Sequence, residues 1–194
     1  MRDPFEEPDH ATPLTLEERR DLIPAYIAYR SELNAAEQEN IARAQDWALG
    51  RKRDPLTGKF IQELHRRMLG DVWKWAGKFR PSERNLGIPF YEIPCAVRQL
   101  LTDTNVWILY HAYPPDEIAV RFHHRLVQVH PFPNGNGRHA RLAADLLVMR
   151  LGEERFAWGR KNLRDAGAMR RRYIAALQTA DRHQIGPLLA FARS

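Results

Sequence analysis

The sequence predicts a mostly α-helical bundle with one short β-hairpin flap, and three observations lead there. Long segments rich in helix formers carry apolar residues at intervals of three and four. Proline and glycine punctuate the joins between those segments. Residues 79–93 hold Pro81, Gly87 and Pro89, too many breakers for a helix, and read as a hairpin or extended flap.

The elements follow in chain order. Residues 1–14 read as a flexible arm, because Pro4, Pro8 and Pro13 deny it regular structure. Residues 15–194 read as a single domain. Thr15 and Glu18 form a capping-box pattern that opens a helix. Residues 32–49 carry Leu33, Ile41 and Trp47 among charges and read as a helix closed by Gly50. Residues 60–69 place Ile61, Leu64 and Met68 at helical spacing. After the flap, residues 95–113 resume helix until Pro114 and Pro115 break it, and Asp116 can cap the next one. Ile118, Phe122, Leu126 and Val129 then give one apolar face. A helix with Leu142, Leu146 and Met149 on its buried side follows, and two more cover 165–180 and 184–192. The sum is about seven helices.

Composition narrows the class. A chain of 194 residues with 44% hydrophobic content supports one sizeable core. The net charge of +6 suits an anionic partner: a nucleotide, a nucleic acid or an acidic protein. Arginine dominates over lysine, which mildly favours phosphate chemistry. Cys95 is the only cysteine, so an intrachain disulfide and a Cys-rich zinc site are excluded. No apolar run reaches the ~18 residues of a membrane span. The expected location is cytoplasmic, with no membrane contact.

The segment HPFPNGNGRHAR, residues 130–141, concentrates the chemistry. Gly135 and Gly137 admit backbone angles that other residues avoid, and Asn136 tolerates the left-handed region. Successive N–H groups in such a turn form an anion nest, and the helix that follows adds partial positive charge. Arg138 and Arg141 both read as lying in the first turn of that helix, where the dipole disfavours cations unless an anion binds. His130 stands at the other rim and can take a proton near neutral pH. Base, phosphate cradle and cations together describe phosphoryl or nucleotidyl transfer to a hydroxyl.

The pattern His130-x-Phe132-x-Asn134-Gly135-Asn136-Gly137-Arg138-x-x-Arg141 resembles the signature of the Fic (Fido) family, His-Pro-Phe-x-[Asp/Glu]-Gly-Asn-Gly-Arg-x-x-Arg. The stretches GKFRPSERNLGIPF, VQVHPF and YIAALQTADRHQIGPLLAFA extend the resemblance over most of residues 20–192. The opening TPLTLEERRDLIP and Asn134 resemble the subgroup called mobile mystery protein B. That subgroup implies a bacterial, toxin-antitoxin-like unit with a helix-turn-helix partner protein. The chain itself shows no DNA-reading motif, so direct nucleic acid binding is not expected.

The resemblance implies transfer of AMP from ATP to a Ser, Thr or Tyr hydroxyl of a target protein, with ATP as co-substrate and Mg²⁺ or Mn²⁺. His130 would be the general base and Phe132 the packing that fixes the loop. Gly135, Asn136 and Gly137 would hold phosphates through backbone and amide donors. Arg138 would meet the α/β region and Arg141 the γ-phosphate. Asn134 departs from the family's acidic metal ligand. A neutral carbonyl oxygen is a weaker ligand for a hard cation, which leaves open a slower transferase, a toxin-type phosphotransferase or a binding-only module. Arg84, Asn85, Leu86 and Gly87 of the flap would dock the target as an extended strand.

Many relatives carry an inhibitory glutamate, in the pattern [Ser/Thr]-x-x-x-Glu-[Gly/Asn], that pairs with the second motif arginine. Glu39-Asn40 fits the last two positions, with Ala35 where Ser or Thr belongs, and Glu37 is the rival. Either would lie on an inhibitory helix over 32–49. Elsewhere, His124 and His139 read as surface or packing residues. Trp158 reads as core, with an adenine-facing role as the alternative.

Overall fold

The computed structural model describes residues 16–51, 53–159 and 166–194. The expected arm over 1–14 and Thr15 of the capping box lie outside the described residues. Eight α-helices occur among the described residues: α1 (Leu16–Arg20), α2 (Arg30–Leu49), α3 (Gly58–Leu69), α4 (Ile93–Leu109), α5 (Pro115–Val129), α6 (Asn136–Arg150), α7 (Ala166–Asp181) and α8 (Gly186–Arg193).

Local chemistry sets their ends. Tyr29 is extended at φ −128° and ψ 151°, and the Glu32 carboxylate turns back to accept the N–H groups of Ala28 and Tyr29 at 2.8 and 3.0 Å. That starts α2. Thr57 accepts the Phe60 N–H at 3.2 Å and starts α3. Pro115 suits the first turn of α5, where its missing N–H costs nothing. Pro114, not Asp116, holds the N-cap position there. Asp116 instead pairs with Arg193, which ties α5 to α8.

α5 and α6 form the central pair. α4 packs on α5, α2 on α3, α3 on α6, and the α7–α8 pair closes over α5 through α8. The core includes Ile61, Leu64 and Met68 of α3, Phe122 and Leu126 of α5, and Leu142 and Leu147 of α6. Each such side chain contributes about 1.5–3 kcal/mol by leaving water. The buried stripe of α2 runs through Leu33, Glu37, Asn40, Ala44 and Ala48, so two of its five members are polar. Ile41 and Trp47 are only partly buried and pack against the core.

The expected β-hairpin is not formed. Among the described residues there is no strand, only an isolated bridge between Leu22 and Trp73. Residues 80–89 run through a series of bends. Pro81 and Pro89 have no N–H to give a ladder. The carbonyls of Ser82 and Ile88, which a ladder would use, accept instead from the Arg80 guanidinium. No helix among the described residues is long and apolar enough to cross a membrane.

Candidate active site

His130 closes α5 in the left-handed region, at φ 51° and ψ 59°. A non-glycine residue held there stores of the order of 1–3 kcal/mol, so the surroundings must enforce it. They do so through Arg80. Its Nε donates to the His130 carbonyl at 2.7 Å, and its backbone N–H donates to the Pro131 carbonyl at 2.9 Å. The His130 ring is buried. Burial first, and then the nearby Arg80 and Arg84 charges, push its pKa down to about 4. The imidazole is therefore neutral at physiological pH, as a base must be before it takes a proton.

The loop after His130 is tied to the start of α6 by one side chain. Asn136 Oδ1 accepts the Phe132 N–H at 2.9 Å, and Asn136 Nδ2 donates to the Phe132 carbonyl at 2.8 Å. Oδ1 and one of the two Nδ2 hydrogens of this buried amide are thus spent on the loop. Gly135 takes φ 78° at the N-cap. That conformation strains any side chain, and a Cβ there would also lie 2.7 Å from Leu69 Cδ1, so glycine is favoured. His139 N–H closes the first helical turn on the Gly135 carbonyl at 2.9 Å. The N–H groups of Asn136, Gly137 and Arg138 precede that closure and point out of the open end of α6. This is an anion seat with the favourable end of the helix dipole behind it.

Phe132 is fully buried beneath the loop, stacked on His65 at 3.7 Å between centroids and 14° between planes, with the edge of His139 at 5.0 Å. His65 escaped the sequence reading, although it falls on the apolar face of α3 beside Leu64 and Met68, which was the available signal. Its Nδ1 accepts the Gly77 N–H at 2.9 Å, so its Nε2 carries the proton and donates to the Asn134 carbonyl at 3.0 Å. The two bonds fix a neutral tautomer, and complete burial holds the pKa well below the ordinary histidine value. His139 is also packing, with Nε2 2.9 Å from the Ile61 carbonyl. His124 meets Asp181 at 2.8 Å, away from the loop.

Asn134 directs its side-chain oxygen onto the Gly135 N–H at 2.6 Å. The two motif arginines diverge. Arg138 lies in the first turn of α6 and Arg141 in the second, because the helix begins at Asn136. Arg138 Nη1 pairs with Glu37 Oε2 at 2.7 Å. The Arg141 guanidinium lies 5.2 Å from the Tyr173 ring centroid, and its Nε donates to the Gly137 carbonyl at 3.3 Å. The glutamate expected on the second arginine is therefore on the first. Glu39 is exposed and pairs with Arg43 at 2.6 Å. α2 buries the positions in step with Leu33, and Glu39 falls on its outer face.

Arg84, Asn85, Leu86 and Gly87 lie in the bent flap, and Leu86 is half exposed. Gly87 backs directly on His130: a Cβ on it would lie 2.6 Å from His130 Cβ. Trp158 sits in the core. It is buried, with its indole N–H on Asp145 at 2.7 Å and its ring stacked on His123 at 4.6 Å.

Comparison with known proteins agrees with this geometry. Residues 55–148 match the family model described as Fic/DOC family. The chain is 33% identical over 147 residues to "Protein adenylyltransferase Fic" of Aedes aegypti, a match covering 72% of this chain and 28% of that protein. It is 36% identical over 108 residues to "Protein adenylyltransferase fic-1" of Caenorhabditis elegans, covering 54% of this chain and 21% of that protein. The chain thus spans about a quarter of the length of these curated relatives. Among solved structures, Fic-1 of C. elegans superposes with a TM-score of 0.63 at 26% identity, covering 93% of this chain and 54% of that one. BepC of Bartonella tribocorum, determined with bound AMPPNP, gives a TM-score of 0.67 at 16% identity, covering 92% and 97%, and shows the fold alone. These matches place residues 55–148 in the family and do not show the expected subgroup or toxin unit, and the two curated relatives are animal proteins where a bacterial kinship was expected.

Proposed function

Because residues 55–148 are a Fic/DOC family domain, we propose that this chain is a protein AMP transferase acting on a target hydroxyl. The observation that carries the reading is the paired Asn136–Phe132 hydrogen bond, 2.9 and 2.8 Å, which rivets the His130 turn to the open end of α6. A base and an anion seat then share one rigid loop, which is the arrangement that in-line attack on a bound phosphate needs. His130 takes the hydroxyl proton. The freed oxygen forms a bond to the α-phosphorus of ATP, and the bond from that phosphorus to pyrophosphate breaks. The N–H groups at residues 136–138 and the Arg138 guanidinium stabilise the charge that builds on the phosphate oxygens. Arg141 serves the γ-phosphate.

A magnesium ion carried by the triphosphate would meet Asn134, whose amide oxygen is a neutral ligand for a hard cation. Such an ion neutralises phosphate charge. Among the described residues no cluster of three or more His, Cys, Asp or Glu side chains could hold a metal. The target would approach over Asn85–Gly87, the exposed part of the flap closest to His130. With no strand there, docking by strand addition gives way to contact with a bent loop that presents Leu86.

Glu37 acts as a brake in this reading. It occupies Arg138, the cation that the phosphates need, and competes with them for it. The neutral Asn134 favours a second reading, a nucleotide-binding module without chemistry. Separate incubations with α-labelled and γ-labelled ATP, each with His130→Ala alongside and each repeated in Glu37→Gly, distinguish the two. Label from α-ATP that requires His130 establishes AMP transfer. Label from γ-ATP alone identifies a phosphotransferase. Nucleotide binding with no label, even in Glu37→Gly, identifies a binding module.

A further inference from the structure

Arg80 was not singled out by the motif, yet its side chain is wholly buried. Its three guanidinium nitrogens reach three carbonyls: Nε the His130 oxygen at 2.7 Å, Nη1 the Ser82 oxygen at 2.9 Å, and Nη2 the Ile88 oxygen. The backbone N–H adds the Pro131 oxygen at 2.9 Å. The nearest carboxylate, Glu83, lies 3.8 Å from Nη1 and is exposed. This buried cation is therefore satisfied chiefly by backbone carbonyls, with only a long ion pair to exposed Glu83. Two of its acceptors bracket the flap, and two belong to the turn that carries His130.

We propose that Arg80 is a positioning residue that mounts the target-facing flap, residues 82–88, on the His130 turn. It performs the task that a β-ladder would otherwise perform. A planar fork with donors on three nitrogens holds three carbonyls at fixed, spread positions, whereas an ammonium gathers its acceptors around a single nitrogen. Gly87 completes the joint: its φ of +99° and its approach to His130 Cβ and to Arg80 Nη2 leave no room for a side chain. The flap and the base therefore move as one unit.

The same placement has an electrostatic consequence. The charged groups acting on the His130 ring are Arg80 and Arg84, both cations, and Arg80 acts more strongly. A fixed positive charge behind the base disfavours its protonation and keeps it neutral.

Nuclear magnetic resonance on the full chain separates the two roles without any assay of transfer. Backbone relaxation reports order in residues 82–88, and ring carbon shifts report His130 protonation. In the wild type the flap should be rigid, with order parameters of about 0.85, and His130 should stay neutral to the lowest pH at which the fold survives. Arg80→Lys keeps the charge and loses the fork: flap order parameters should fall below about 0.6 while His130 stays neutral. Arg80→Gln loses both, so His130 should also begin to protonate at a pH where the wild type does not. Gly87→Ala should loosen the flap with Arg80 intact. A flap as rigid in Arg80→Lys as in the wild type overturns the mounting role, and an unshifted His130 titration in Arg80→Gln overturns the electrostatic one. Should Arg80→Gln fail to fold, a loosened flap in Arg80→Lys and Gly87→Ala supports the mounting role, and a rigid one defeats it. One consequence rests on the AMP-transfer reading: Arg80→Lys should raise the KM of the acceptor on the order of tenfold and leave the KM of ATP unchanged.

Discussion

Glu37 Oε2 lies 2.7 Å from Arg138 Nη1, while Glu37 Oε1 accepts the Trp73 indole N–H at 2.9 Å. The carboxylate is buried and clamped from both sides, so it holds its place without help from solvent. Removing it frees an arginine at the mouth of the anion seat. A charge-assisted bond of this kind contributes about 1.5–3 kcal/mol, so Glu37→Gly should tighten ATP binding by roughly tenfold or more. Glu39→Gly should change nothing, because Glu39 meets only Arg43 and solvent. Calorimetric titration of both variants with ATP decides this. Equal affinities in Glu37→Gly and the wild type would remove the brake.

Trp73 offers an independent handle on the same contact. Trp73→Phe deletes the indole donor and keeps most of the packing. Glu37 would then keep its arginine and lose its orienting partner. ATP affinity should fall between those of the wild type and Glu37→Gly. An affinity in Trp73→Phe indistinguishable from the wild type would show that the indole bond does not orient the carboxylate.

Asn134 is the one motif position where the side-chain charge is missing. Asn134→Asp should keep the bond to the Gly135 N–H, since a carboxylate oxygen accepts as well as an amide oxygen does. It adds a negative charge beside a helix N-terminus, which the dipole welcomes by about 0.3–1 kcal/mol. The variant should need less Mg²⁺ for half-maximal ATP binding, by roughly tenfold, because a hard cation prefers a charged oxygen. Titrating Mg²⁺ against a fixed ATP concentration measures it. An unchanged midpoint would mean that this side chain does not face the metal on the triphosphate.

How far these relations were legible in the sequence depends on their range. The α5–loop–α6 core could be read because its signals are local: apolar spacing in Ile118, Phe122 and Leu126, then glycines at 135 and 137. The identity of the buried glutamate could not. Glu37 and Glu39 differ only in which face of α2 they occupy, and that face is chosen by contacts with α3 and Trp73, some 36 positions away in the chain. The flap failed for a related reason. Its turn residues are those of a hairpin, but its carbonyls are claimed by Arg80, a residue whose burial no periodicity announces. His65 is intermediate, visible as a polar residue on an apolar face yet silent about its two backbone partners.

His65 supplies a stability test of the loop. His65→Phe would preserve the stack on Phe132 and delete both hydrogen bonds, leaving the Gly77 N–H and the Asn134 carbonyl without this partner. Each buried group so abandoned costs roughly 1–3 kcal/mol. The urea midpoint should drop accordingly with an unchanged m-value, because the exposed surface on unfolding is the same. His65→Gln, which can still donate to Asn134, should recover part of the loss. A wild-type midpoint in His65→Phe would show that the ring acts by packing alone.

Acid should destabilise this fold well above the carboxylate range. Burial holds the pKa of His130 and of His139 down at about 4, and those of His65 and His123 well below the ordinary value. In the unfolded chain these rings titrate near 6.5. Below that pH the unfolded state takes up protons that the folded state refuses. Stability is therefore complete above about pH 7 and declines as pH falls, by linkage. For His130 and His139 the loss amounts to about 2 kcal/mol each near pH 5. His139 shows why the folded state refuses: its Nδ1 is buried without a hydrogen-bond partner, and a proton there would have no acceptor. Urea unfolding near pH 7.5, 6 and 5 should trace the decline, and His139→Gln should flatten it by one proton's share. A free energy of unfolding that stays level from pH 7.5 to pH 5 would mean that these rings protonate as readily inside the fold as outside it.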